Sequence, residues 1–151
     1  MNTKSLSTHS AWSESELTAF LESYRAPLRL GVVDPSGFPL LCSLWFKFDH
    51  GRILCATTKD SRVVECLREN PKCGFELAPN EPPYFGVRGR GLTRTGPEGA
   101  MELLETLVDR YLGSRETKFA EWLLSRTDEE VVIEIDIQWM TSWDYSSRMS
   151  D

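Results

Sequence analysis

Histidine is scarce in this chain: His9 lies in a polar amino-terminal stretch and His50 in an Asp-His-Gly turn. With one in a polar arm and the other in a turn, a Ser-His or Cys-His nucleophile has little to build on. The four cysteines, Cys42, Cys55, Cys66 and Cys73, form no C-x-x-C pair and no zinc-ligand spacing with the histidines. We expect reduced, mostly buried thiols and no metal site. Glycine-rich phosphate loops of the P-loop or dinucleotide type are missing, as is G-x-S-x-G. Positive charge is also short. The formal net charge is −6 and the pI about 5.0, which argues against nucleic-acid binding through a broad basic surface. No run reaches membrane-span length, and no apolar leader opens the sequence. The expectation is a cytoplasmic protein with no membrane or nucleic-acid partner.

What is present is one domain's worth of ordinary globular sequence, 151 residues with 40% hydrophobic side chains. Residues 1–12 read as a loose polar arm, 13–146 as a single domain and 147–151 as a polar tail. Ser13 and Glu16 fit a capping box, and Leu17, Phe20, Leu21 and Tyr24 follow at helical spacing. "LRLGVV", "PLLCSLWFKF" and "RILCATT" read as strands joined by the turns "DPSG" and "DHG", a three-strand antiparallel meander over 28–58. A helix with Val63, Val64, Cys66 and Leu67 inward ends at Asn70-Pro71. "KCGFEL" and "YFGVRGRGLTRT" are further strands, the second placing Arg88, Arg90 and Arg94 on one face. Pro97 suits the first position of a helix whose stripe is Met101, Leu104, Val108 and Tyr111, widened by Leu107 and Leu112. "KFAEWLLSR" predicts a short helix and "VVIEIDI" an alternating strand, followed by an aromatic tail. Short connections predict antiparallel pairing in a small barrel with helices around it.

Four stretches carry possible chemistry. Ser61-Arg62 stands at a helix start, where free N–H groups and the helix dipole favour an anion, and Lys59 lies just upstream. A simple Asp60 or Ser61 cap with solvated cations is the competing reading. Ser43–Phe46 could border a flat ring or pack in the core. The arginine row could meet a phosphate or carboxylate, or be an exposed strand face. "TSWDYS" could anchor an interface or fold over its own core. An anion pocket beside aromatics, without an evident acid, base or nucleophile, suits a bound cofactor that carries the reaction.

In order and spacing, "APLRLGVVDPSGFPLLCSLWFKFDHGRILCATTKDSRVVECLRENPKCGFEL", "PPYFGVRGRG" and "TSWDYS" resemble the flavin-binding split-barrel proteins related to pyridoxamine 5′-phosphate oxidase. The resemblance covers roughly residues 17–146. It implies a mainly β (α+β) fold, a six-stranded antiparallel split β-barrel with flanking helices, homodimeric, with FMN at the subunit interface. It implies an FMN-dependent oxidoreductase passing hydride between flavin and a small-molecule substrate. Ser61 and Arg62 fall where the family binds the FMN phosphate, with Lys59 nearby. Thr57 and Thr58 fall beside the ribityl chain and ring. Ser43, Leu44, Trp45 and Phe46 fall on the strand bordering the isoalloxazine, and Trp143 where the partner often lends an aromatic residue. The oxidase proper has a lysine directly after Ser-Arg, where Val63 stands here, and the basic substrate-binding residues of its C-terminal segment have no match in "WMTSWDYSSRMSD". Two alternatives stay open. One is a deazaflavin-dependent reductase of the same fold, whose acidic cofactor tail would suit Arg88 and Arg90. The other is a non-catalytic flavin- or ligand-binding dimer.

Overall fold

The computed structural model describes residues 6–150; residues 1–5 of the expected arm and the last residue of the tail lie outside that range. Helix α1 spans Glu14–Ser23 and begins at the expected capping box. The Ser13 hydroxyl accepts the Glu16 N–H at 3.3 Å, and the Glu16 carboxylate accepts the Ser13 N–H at 2.8 Å. Leu17 and Leu21, one turn apart, are fully buried. Each such side chain contributes about 1.5–3 kcal/mol. Residues Leu6–Trp12 run beside the last strand: Ser7 N–H donates to Met140 O at 2.8 Å and Ala11 N–H to Ser142 O at 3.2 Å. Trp12 packs against Phe20 with ring centroids 5.0 Å apart.

Strand β1 is Leu28–Val33 and β2 is Pro39–Leu44. In the turn between them, the Asp34 carboxylate accepts from the N–H groups of Ser36 (2.9 Å) and Phe38 (3.0 Å), and Gly37 has φ 89°. Strand β3 is Phe46–Asp49 and β4 is Arg52–Thr58. His50 (φ 48°) and Gly51 (φ 78°) between them supply the two left-handed residues that a tight hairpin needs.

The expected single strand through "PLLCSLWFKF" is corrected here. It breaks at Trp45, so the sheet has seven strands where six were expected, in the order β2-β1-β5-β6-β7-β4-β3. The meander is corrected with it. β2 pairs antiparallel with β1 and β3 with β4, but the two hairpins sit at opposite edges of the sheet. A straight strand cannot serve both edges. One residue outside the ladder, Trp45, lets the chain leave one edge and enter the other, which requires the sheet to curl until its edges meet.

Helix α2 is Arg62–Glu69, β5 is Lys72–Leu77 and β6 is Phe85–Gly96. The inward side chains of α2 are the expected Val63, Val64, Cys66 and Leu67. Helix α3 spans Ala100–Leu112, α4 Lys118–Leu124, β7 Glu130–Asp144 and α5 Ser146–Met149. α3 starts three residues later than Pro97, because Gly99 takes a left-handed conformation (φ 77°) and turns the chain first. Its buried stripe is Ala100, Leu103, Leu104, Leu107 and Val108, while Met101 is exposed.

β7 continues well past the expected "VVIEIDI". Opposite Arg90 and Gly91 the register shifts, leaving Gln138 unpaired with β6, and pairing resumes to Phe85↔Asp144. This bulge lets the aromatic tail stay in the ladder. A Cβ on Gly91 would come within 2.6 Å of the Asp136 carbonyl, so only glycine fits at the bulge. Arg88, Arg90 and Arg94 share the outer face, as their parity predicts. Phe46, Ile53, Leu77, Ile133, Ile135 and Met140 centre the core inside the curl. Cys55, Cys66 and Cys73 are buried and Cys42 half-buried, all free thiols; burial pushes the Cys73 thiol up to about 11.

Candidate functional site

Five of the residues expected to touch a cofactor meet in one cavity of about 270 Å3. Ser43, Leu44 and Trp45 reach it from the end of β2, and Thr57 and Thr58 from the end of β4. Leu104 and Leu107 of α3 with Phe119 and Leu123 of α4 form its apolar wall. Glu130 at the start of β7 closes the polar side. This volume lies just below the usual ligand range of about 300–1,000 Å3.

The break at Trp45 is held by α3. The Trp45 and Tyr111 rings stack at 5.0 Å with 5° between their planes. The Tyr111 hydroxyl accepts from Phe46 N–H at 3.3 Å and donates to Ala26 O at 3.1 Å. Arg110 donates to the carbonyls of Glu22 and Tyr24 at 2.6 and 2.7 Å, gripping the C-terminal end of α1, and its guanidinium lies 5.2 Å from the Phe46 ring centroid. Phe46 is fully buried under it. The structure therefore places Phe46 in the core and separates it from Ser43, Leu44 and Trp45.

The helix start expected to hold an anion lies just beyond the cavity. Lys59 N–H donates to Glu129 O at 2.7 Å and Ser61 N–H to Thr58 O at 3.0 Å, so a tight turn joins the cavity's Thr58 to α2. Ser61 is the N-cap residue in backbone terms, yet its hydroxyl makes no capping bond. Its Oγ is buried without any hydrogen-bond partner. Such an atom is costly unless something satisfies it. The simple-cap reading of Ser61 fails on this point. Arg62 donates to the Glu65 carboxylate at 2.8 Å and is half-exposed. The Lys59 side chain is exposed.

Trp143 lies away from the cavity on the outer face of β7. It covers Gly86, where a Cβ would come within 2.7 Å of its ring, and the Arg88 guanidinium sits 5.8 Å from its centroid. Arg90 covers Trp139 in the same way at 5.7 Å. Arg94 pairs with Glu134, which also takes Arg52 at 3.0 Å, and these bonds hold the Glu134 carboxyl below the usual range.

Glu130 escaped the sequence reading. The residue is 8% exposed, and its carboxyl has no hydrogen-bond or ion-pair partner among the described residues. Its parity matches Glu134 and Asp136 on the outer face of β7. The difference is that α3 and α4 cover that face only at its start, and no local pattern announces this. Burial raises its pKa, with Arg126 lowering and Glu129 raising it by smaller amounts.

No protein-family model and no curated relative matches the sequence. Solved structures do match. A conserved hypothetical protein of Mycobacterium tuberculosis superposes with a TM-score of 0.79 at 23% identity, over 97% of this chain and 93% of that one. An F420 reductase gives 0.68 at 21% identity, over 80% and 93%. A candidate pyridoxamine 5′-phosphate oxidase from Listeria innocua gives 0.65 at 19% identity, over 85% and 96%. The chain shares the split-barrel fold with these proteins. Among the described residues, no helix is long and apolar enough to cross a membrane.

Proposed function

We propose that the protein binds a phosphate-bearing flavin, FMN, or a deazaflavin of the same ring plan, and works as an oxidoreductase on a small molecule. The observation that carries this reading is the buried, partnerless Ser61 Oγ at the start of α2. A phosphate there would satisfy the hydroxyl and meet the free N–H groups of the first helical turn, with Arg62 beside it. One turn of chain away, the cavity at Ser43–Trp45 and Thr57–Thr58 offers a polar edge and an apolar wall for a ring. The bound group would supply hydride transfer. The residues of this chain would bind its phosphate, seat its ring and keep water off its apolar side. Structural likeness to an F420 reductase supports the deazaflavin variant. The resemblance to the oxidase group, with Ser61-Arg62 at the matching position, supports FMN.

The homodimer belongs to this proposal. Val33, Leu41 and Leu92 leave a large apolar area on the outer face of β1, β2 and β6, Leu41 being 77% exposed. A groove of about 530 Å3 runs across it past Gly31, Gly74 and Arg90. A second copy covering this face would remove that area from water.

The deciding experiment is the visible spectrum of the purified protein, with mass spectrometry of whatever heat releases. A flavin spectrum with FMN released supports the first form, and a single shorter-wavelength band the deazaflavin form. A colourless protein that also fails to take up added FMN or F420 overturns both.

A further inference from the structure

A carboxyl group carried by a buried residue, unpaired and set in the wall of a cavity, is expensive in its charged form. Glu130 is such a group. It stands opposite Thr58 across the β4–β7 ladder and borders the cavity between Thr57, Thr58 and the leucines of α3. A neutral carboxyl differs from a carboxylate in what it offers: one O–H donor and one carbonyl acceptor side by side, in place of acceptors alone. That pair matches a lactam edge, where a ring N–H adjoins a ring carbonyl. The pyrimidinedione ring shared by flavins and deazaflavins has such an edge.

Resting on the reading above, we propose that neutral Glu130 recognises the cofactor ring, its O–H donating to a ring carbonyl and its carbonyl accepting the adjacent ring N–H. Ionised, the same side chain would set a negative charge against the ring carbonyl and lose the donor. Ring binding and protonation of Glu130 are then linked, so alkaline conditions weaken the complex.

The charged groups around Glu130 fit this. From its own strand and the preceding turn, Arg126 favours the carboxylate, while Glu129 opposes it and burial opposes it most. On the far side, Glu102 of α3 and Asp128 line the neighbouring cleft that Glu130 also borders. From β4, the facing residue is Thr58, which carries no charge.

The test is the dissociation constant of FMN, read by quenching of its fluorescence between about pH 5 and pH 9, for the wild-type protein, Glu130→Gln and Glu130→Leu. The FMN phosphate titrates near about pH 6, but it does so equally in all three. Glu130→Gln keeps a donor and an acceptor in the same shape and cannot ionise. Its affinity is expected to equal the wild type at low pH and to exceed it increasingly at high pH, the ratio growing by up to about tenfold per pH unit above the Glu130 pKa. Glu130→Leu is expected to bind roughly tenfold more weakly than Glu130→Gln throughout. Parallel curves for wild type and Glu130→Gln would overturn the inference while leaving flavin binding intact, and this comparison does not depend on the leucine variant folding. Absence of FMN binding by the wild type at every pH would take the proposed FMN site down with it.

Discussion

The ring of Tyr111 lies parallel to that of Trp45 at 5.0 Å, and its hydroxyl accepts from Phe46 N–H just after the break while donating to Ala26 O just ahead of β1. One residue of α3 thus fixes the point where the curled sheet passes from one edge to the other, and that point is also the wall of the candidate cavity. Packing and site geometry are coupled through this pair.

Replacing Tyr111 by Phe keeps the stack and removes the hydroxyl. Phe46 N–H and Ala26 O then lose a half-buried partner, at a cost of about 1–2 kcal/mol. Thermal unfolding should shift down by roughly 2–6 °C. Tyr111→Leu, which also loses the stack, should fall further and weaken ligand uptake with it. An unchanged melting temperature for Tyr111→Phe would show that the break at Trp45 holds without the hydroxyl.

Arg110 holds α1 to the barrel through the carbonyls of Glu22 and Tyr24. Arg110→Met keeps much of the stem and loses the donors. A loss of about 2–3 kcal/mol is expected, since hydrogen bonds from a charged donor are the stronger kind. Denaturant unfolding with an unchanged slope and a lowered midpoint would show this. A midpoint within error of the wild type would mean that the bonds are replaced by water.

At the helix start, Glu65 competes for Arg62 at 2.8 Å. Arg62→Ala should weaken FMN binding by roughly tenfold or more without unfolding the protein. Glu65→Gln should act in the opposite sense, because it frees the guanidinium. Isothermal titration of both variants checks the pair. Equal dissociation constants for Arg62→Ala and wild type would remove the arginine from the site.

Glu130 also makes the ligand-free protein's stability depend on pH. Its folded pKa is raised above the ordinary 4.5 by burial. The unfolded chain therefore releases this proton at lower pH than the folded one. The neutral side chain's contribution is complete below the unfolded value and lost as pH rises through the folded one. Glu130→Gln should melt higher than wild type at pH 8 and converge with it toward about pH 4. Melting curves at both pH values decide it, and a constant difference would show that Glu130 titrates normally.

On the apolar outer face, Leu41→Lys places a charge where the second copy is proposed to sit. Light scattering should then give a monomer from a dimeric wild type. A wild-type monomer that still binds flavin would refute the interface site.

Much of this protein can be read along the chain, because the relevant physics is local. The Ser13–Glu16 capping box, the Asp34 and His50-Gly51 turns and the inward face of α2 follow from neighbours within a few residues. The cluster of Ser43–Trp45 with Thr57 and Thr58 was legible through resemblance of order and spacing. What the tertiary structure decided are the features that need partners distant in sequence. The break at Trp45 depends on Tyr111, 66 positions later, and on a sheet whose two edges must meet. The extension of β7 depends on glycines in β6 that admit a bulge. Glu130 and Glu134 look alike in the sequence, two acids of the same parity on one strand. Helices cover the first and leave it unpaired, while Arg52 and Arg94 meet the second, and a carboxyl's chemistry is set by what surrounds it.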